Sequence, residues 1–119
     1  MRFNLTRPCD ECPFRSDRHP FGLRPERVRS ILGGGKGRSW WPATSFPCHK
    51  TITYYANGRA VIGRKAQQCA GVMIILHREH RHNDAMQIGQ RFGLFDPNNL
   101  DMGAPVYCST EAAIRGQGA

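Results

Sequence analysis

QQCAGVMIILHREH, residues 67–80, decides the fold. Its middle, Val72 to Leu76, is apolar on nearly all sides, and such a run has two readings. As a buried helix it opens at Cys69 and runs on to the basic end at His80. As a buried strand it is confined to VMIIL. The helix is preferred, which makes 67–80 the central element and buries most of it. The neighbouring segments are then read for what can pack around it.

Downstream, NDAMQIGQRFG (83–93) predicts a helix with Asn83 or Asp84 as its cap and Gly93 as its stop. LFDPNNLDMGAPVYC (94–108) is loop-like. Ser109 is placed to cap a last short helix, TEAAIR, before a frayed GQGA tail. Upstream, TITYYANGRAVIG (51–63) predicts a β-hairpin: both arms are rich in β-branched and aromatic residues, and Asn57-Gly58 favours a type I′ turn. GGGKGRSWWPATS (33–45) is a loop, because four glycines within five residues hold neither helix nor strand cheaply. LRPERVRSILGGG (23–35) predicts a short helix, with Pro25 in its first turn, a Val28, Ile31, Leu32 stripe and Gly33 as its stop. Residues 1–22 are broken up by Pro8, Pro13, Pro20 and Gly22. The expected fold class is therefore α+β. It is a small single domain over 1–119, of two to three helices and a β-hairpin, organised around a four-cysteine metal site.

The chain has 119 residues, 39% of them hydrophobic, a length that suits one domain with a modest core. No segment is long or apolar enough to span a bilayer, and MRFNLTRPC lacks the apolar block of a signal peptide. The expected location is the cytoplasm. Its reducing conditions make the five cysteines metal ligands or free thiols before disulfides, and an odd count points the same way. Seventeen Lys and Arg against nine Asp and Glu give a net charge of +8. That charge calls for a polyanionic partner, nucleic acid first and an acidic protein second, or else serves only solubility. No membrane partner is expected.

RPCDECPFR (7–15) places Cys9 and Cys12 in a C-x2-C turn between prolines. Such a turn lets two thiolates converge on one metal and aims amides at the sulfurs. Cys48 precedes the hairpin, and Cys69 opens the central helix, where the positive end of the helix dipole favours a thiolate. All four lie at turns or element ends, so loops can bring them together. A thioredoxin-like redox pair fits less well, since it follows a strand and opens a helix. Cys108 stands apart and reads as a small buried or half-buried hydrophobe.

RPCDECPFR, then FPCHKT, then QCAG with a helix behind it, resembles a family of small proteins of actinobacteria and their phages that is catalogued as a domain of unknown function. Its pattern is C-x2-C-P-aromatic-R, an aromatic shortly before C-H, then C-A-G. The likeness covers about residues 7–95 and leaves 96–119 as a tail. It implies that Cys9, Cys12, Cys48, His49 and Cys69 form the functional core, and it implies no activity.

Zinc sites commonly use two close ligand pairs. Here only the first pair is close, with 35 residues between Cys12 and Cys48 and 20 between Cys48 and Cys69. A [4Fe–4S] cluster is larger, takes ligands from scattered loops, and often has a proline beside a ligand cysteine. The expected cofactor is a [4Fe–4S] cluster on Cys9, Cys12, Cys48 and Cys69, with zinc as the alternative. His49 is expected to donate a hydrogen bond to a cluster sulfur rather than bind metal, or else to be an ordinary loop histidine. His77, His80 and His82, among arginines, read as a basic solvated helix end.

The function that follows is a small iron–sulfur protein acting as a basic nucleic-acid-binding or regulatory module. Arg7, Arg15, Arg18, Lys36, Arg38, Arg59, Arg64 and Lys65 are its phosphate contacts, and Trp40 and Trp41 stack on exposed bases, or else one or both plug the core. Two alternatives stand beside it. One is a zinc-stapled protein-interaction module, such as a phage factor that grips a host protein. The other is a small enzyme that uses an open iron on the cluster as a Lewis acid. Paired carboxylates, a serine triad and HExxH are all missing, and GGGKG lacks the GxxxxGK[ST] phosphate-loop spacing.

Overall fold

A computed structural model describes residues 2–10, 12–17, 22–61 and 66–117, with backbone alone at 49, 53, 54, 60 and 61. Four α-helices occur among the described residues: α1 Pro25–Leu32, α2 Ala70–Arg78, α3 Asp84–Arg91 and α4 Thr110–Gln117. The apolar run at 72–76 is helical, and α2 is buried at every position from Ala70 to Leu76. An all-round apolar helix has no solvent face, so the other elements must enclose it. Side chains such as Ile74 and Leu76, fully buried, each contribute about 1.5–3 kcal/mol.

The wrapping elements are short and individually capped. α1 begins with Pro25, whose missing N–H has no partner in a first turn, and it buries Val28, Ile31 and Leu32. It ends at Gly33 (φ 72°), where a Cβ would stand 2.5 Å from the Trp40 carbonyl oxygen. The loop that follows therefore folds back against the end of α1, with Gly34 N–H donating to Trp40 O (2.9 Å) and Gly35 N–H to Ser39 O (2.9 Å). α1 packs on α2 and α4. α3 is capped by Asn83, whose Oδ1 accepts the Met86 amide (2.9 Å), and it buries Met86 and Gly89. Gly89 is small because Phe3 lies on it: a Cβ there would meet the Phe3 ring at 2.7 Å. α4 is capped by Ser109 Oγ, which accepts the Ala112 amide (3.1 Å).

The expected α+β class does not hold. The hairpin expected over 51–63 amounts to backbone pairing of two residues on each side, Thr53 opposite Val61 and Tyr54 opposite Ala60. Two residues a side make no sheet layer, and the fold rests on its helices. The type I′ turn is also absent. It needs positive φ at both central residues, and among the described non-glycine residues only His80 has it. The chain instead turns through Gly58 (φ 85°), with Gly58 N–H donating to Tyr55 O (2.9 Å). Nor is the fold organised around a four-cysteine site: its centre is α2, with Phe14, Phe95, Leu100 and Val106 supplied by loops. The tail is not frayed from residue 116. Gln117 ends α4 and is buried; its Nε2 donates to Pro13 O (2.6 Å) and its Oε1 accepts the Leu23 amide (3.0 Å). No helix among the described residues is long and apolar enough to cross a membrane.

Candidate functional site

The N-terminal end of α2 collects cysteines. Cys12 N–H donates to Cys9 O (3.1 Å), which closes the C-x2-C turn. Residues 46–48 run antiparallel to 67–69, with Pro47 opposite Gln68. Cys48 N–H donates to Gln67 O (2.7 Å) and Cys69 N–H to Phe46 O (2.9 Å), so Cys48 and Cys69 lie on paired segments. Cys12 Sγ lies 3.7 Å from Cys69 Sγ, across 57 residues of chain. Cys12, Cys48 and Cys69 are buried, and Cys9 is half-buried against the core. Cys108 is exposed, contrary to its reading as a buried or half-buried hydrophobe.

The C-A-G glycine has a steric reason. A Cβ on Gly71 would lie 2.8 Å from Cys12 Sγ and 3.1 Å from Phe14 Cβ. The bare backbone of Gly71 lets Cys12 approach the helix end.

The two touching thiols titrate as a pair. Cys12 is pulled below the ordinary thiol value by its hydrogen bond to Cys69, against its own burial. Backbone hydrogen bonds from Phe14 and Gly71 and the charge of Arg15 add to the pull. Cys69 is pushed well up by the same bond, by burial and by the charges of Cys12 and Cys48. The helix end, expected to favour a Cys69 thiolate, contributes one backbone hydrogen bond from Val72, which is outweighed. Of the two, Cys12 is the thiol that gives up its proton first and Cys69 the one that keeps it longer. Among the described residues, no three His, Cys, Asp or Glu side chains stand close enough together to hold a metal ion. One buried donor in the same strand segment, Gln68 Nε2, has no hydrogen-bond partner.

The expected phosphate contacts divide. Arg15 is turned inward: it grips Asp17 through Nε and Nη2, both at 2.8 Å, and its side chain is only 14% exposed. Lys36 and Arg38 are exposed on the closed loop beside Trp40 and Trp41. Trp40 is 48% and Trp41 69% exposed. Arg18, Arg64, Lys65 and the His49 side chain lie outside the described residues.

The C-terminal end of α2 carries a feature that the sequence reading missed. A cleft of about 520 Å³ opens between the tryptophan loop and the turn after α2, lined by Trp40, Trp41, His77, His80, His82 and Gln87 among others. His80 takes the left-handed conformation (φ 56°), a position that usually falls to glycine or asparagine. The turn closes with Arg81 N–H donating to Leu76 O (2.9 Å) and returns His82 to His77, Nδ1 to Nε2 2.8 Å. Burial first, then the charges of His77 and His80, hold the His82 imidazole below its usual value.

Nor is REHRH solvated throughout. Arg81 has a side chain only 5% exposed, pairs with Glu79 (2.6 Å) and donates to Leu32 O (2.5 Å) and Thr110 Oγ1 (2.8 Å). It also sits over the Trp40 ring, 5.1 Å from the centroid. Arg78 donates to Met102 O (2.5 Å) and, more weakly, to the Val106 and Tyr107 carbonyls. The only sequence signal was the run of three histidines within six residues; the helix stop that folds them together has no glycine to mark it.

No family model matches the chain, no curated protein matches it, and no solved structure matches it.

Proposed function

We propose that Cys9, Cys12, Cys48 and Cys69 hold a [4Fe–4S] cluster in a small, basic nucleic-acid-binding or regulatory protein. The observation that carries this reading is the Cys12–Cys69 contact at 3.7 Å, with Gly71 kept bare beside it. Buried thiols have little reason to crowd one another. Soft metals bind thiolates, and a metal would take the place of the thiol protons. Backbone hydrogen bonds already directed at Cys12 and Cys69 are the kind that stabilise ligand sulfurs, and the unpartnered Gln68 Nε2 could add another. Cys48 lies near enough for its charge to act on Cys69, and Cys9 closes the turn that carries Cys12. A reducing compartment such as the cytoplasm fits free thiols of this kind.

Zinc is the second reading, and one distance favours it. Zn–S bonds of about 2.3 Å in a tetrahedron place two sulfurs about 3.8 Å apart, close to the 3.7 Å of Cys12 and Cys69. The nucleic-acid half of the proposal draws support from the net charge of +8 and from Lys36, Arg38 and two exposed tryptophans on one loop. Metal and acid-labile sulfide analysis of anaerobically purified protein tests the cofactor. Brown protein with iron and sulfide in equal amounts is expected. Colourless protein with one zinc per chain would replace the cluster by zinc, and metal-free folded protein would end both readings.

A further inference from the structure

We propose that the cleft at the C-terminal end of α2 takes a single unpaired nucleobase, stacked on Trp41, with the adjoining phosphates on Lys36 and Arg38. The inference rests on the nucleic-acid half of the proposed function and gives it a place and a substrate class: single-stranded nucleic acid.

Two indoles this exposed, side by side at the rim of a concave site, are unusual for an isolated surface. The loop that carries them is held in position. The loop is closed by the Gly34–Trp40 and Gly35–Ser39 hydrogen bonds, and buried Arg81 lies under Trp40. A pre-formed aromatic platform favours binding because little is lost on ordering it. The cleft, about 520 Å³, is within the range of small-ligand sites. Its far wall is polar but not acidic: the His77–His82 pair, His80 and Gln87. Imidazole and amide groups carry both donors and acceptors, as base edges require. Lys36 and Arg38 stand on the same loop as the tryptophans, exposed, where a backbone entering the cleft would pass. The left-handed His80 is an L-residue held in a costly conformation at this wall, as recurs at functional sites.

A base within a duplex offers its face only to its neighbours, whereas an unpaired base can slide onto an indole. That is why the partner is a single strand. Acidic side chains would use Lys36 and Arg38 but bring no aromatic face to the tryptophans.

The test is tryptophan fluorescence and anisotropy on the full chain as purified anaerobically, with a single-stranded oligonucleotide, its duplex, a mononucleotide and a polyglutamate. The single strand should quench tryptophan emission and bind at least tenfold more tightly than the duplex. Trp41→Ala should weaken single-strand binding about tenfold, the loss of one stacked base, while Trp41→Phe restores most of it. Equal affinity for duplex and single strand, unchanged by Trp41→Ala, would overturn the cleft and leave a basic surface binding phosphate alone. No binding of either nucleic acid would overturn the nucleic-acid reading as well. Quenching by polyglutamate in place of the strand would assign the site to an acidic protein. Quenching by the mononucleotide but not the strand would make it a free-nucleotide site. Metal and sulfide content of the same preparations reports separately on the cysteines.

Discussion

The two ends of α2 make opposite use of the same helix. At Cys69 the backbone is closed in by 46–48 and by the C-x2-C turn, three of its cysteines are buried, and a single glycine sets the spacing. At His77 to His82 the chain turns outward onto a cleft with half-exposed rings and two exposed tryptophans. Burial at the first end makes each thiol's protonation depend on its neighbour. Openness at the second end leaves room for a ligand without unfolding anything. The proposed cluster belongs to the closed end and the proposed base to the open one.

The strongest way to break this contrast is through Arg81. It joins α2 to the end of α1 at Leu32 O, to the loop at Trp40 O and to α4 at Thr110. Arg81→Met should cost about 3–5 kcal/mol, because it removes the buried cation paired with Glu79, leaves Leu32 O without its donor and takes one of two donors from Trp40 O. Urea denaturation measures it. A loss below about 1 kcal/mol would mean that the open end is held by something other than this arginine.

Gly71→Ala breaks the other end. The new Cβ would press on Cys12 Sγ and Phe14 Cβ, at 2.8 Å and 3.1 Å, and neither can move freely in the core. Overpacking of this kind costs about 1–3 kcal/mol. Metal content should fall with it, while nucleic-acid binding at the far end of the helix weakens only as far as stability does. Full metal loading in Gly71→Ala would show that Cys12 does not need its present position.

Much of the helical scaffold was legible in local sequence. Pro25 and Gly33 bracket α1, Asn83 caps α3, Ser109 caps α4, and the run at 72–76 could only be enclosed. These signals work over three or four residues, the range of a helical turn. The fold class failed because β-branched residues at 51–63 state a preference for extended backbone, and preference alone does not supply a partner strand. The cleft failed for a different reason. Arg81 reaches Leu32, Gln117 reaches Pro13, and the His80 turn has no glycine to announce it. A charged residue reads as solvated until the carbonyls that surround it are known. At the cysteines the C-x2-C turn was legible, but only the folded chain shows that the Cys12 sulfur meets that of Cys69.

A smaller effect separates the ends by pH. His82 in the fold protonates below its usual value, so between that lower value and about 6.5 the unfolded chain binds the extra proton more readily. Stability is then full above pH 6.5 and declines as pH falls through 6.5 toward the lower folded value. Burial pushes the Glu79 carboxyl up, but hydrogen bonds from Thr110 and Arg81 bring it below its usual value, so its contribution is lost only in stronger acid. Melting temperature should therefore drop between pH 7 and pH 5, and His82→Gln should flatten the drop. An unchanged slope in that variant would place the titrating group elsewhere.

The smallest effect is expected at Cys108, and it sharpens the contrast by marking where the cysteine end stops. Cys108 is exposed, one residue before the Ser109 cap of α4. The other four cysteines are buried or half-buried around the N-terminal end of α2. An exposed thiol can exchange with solvent and oxidants, which suits neither a core hydrophobe nor a protected ligand. Serine is close to isosteric and satisfied by water at such a position. Cys108→Ser should change stability by no more than about 0.5 kcal/mol and leave metal, sulfide and visible absorbance as they are. The same measurements on Cys12→Ser should show metal lost together with solubility. Equal loss in both variants would draw Cys108 into the ligand set and put one of Cys9, Cys12, Cys48 or Cys69 outside it.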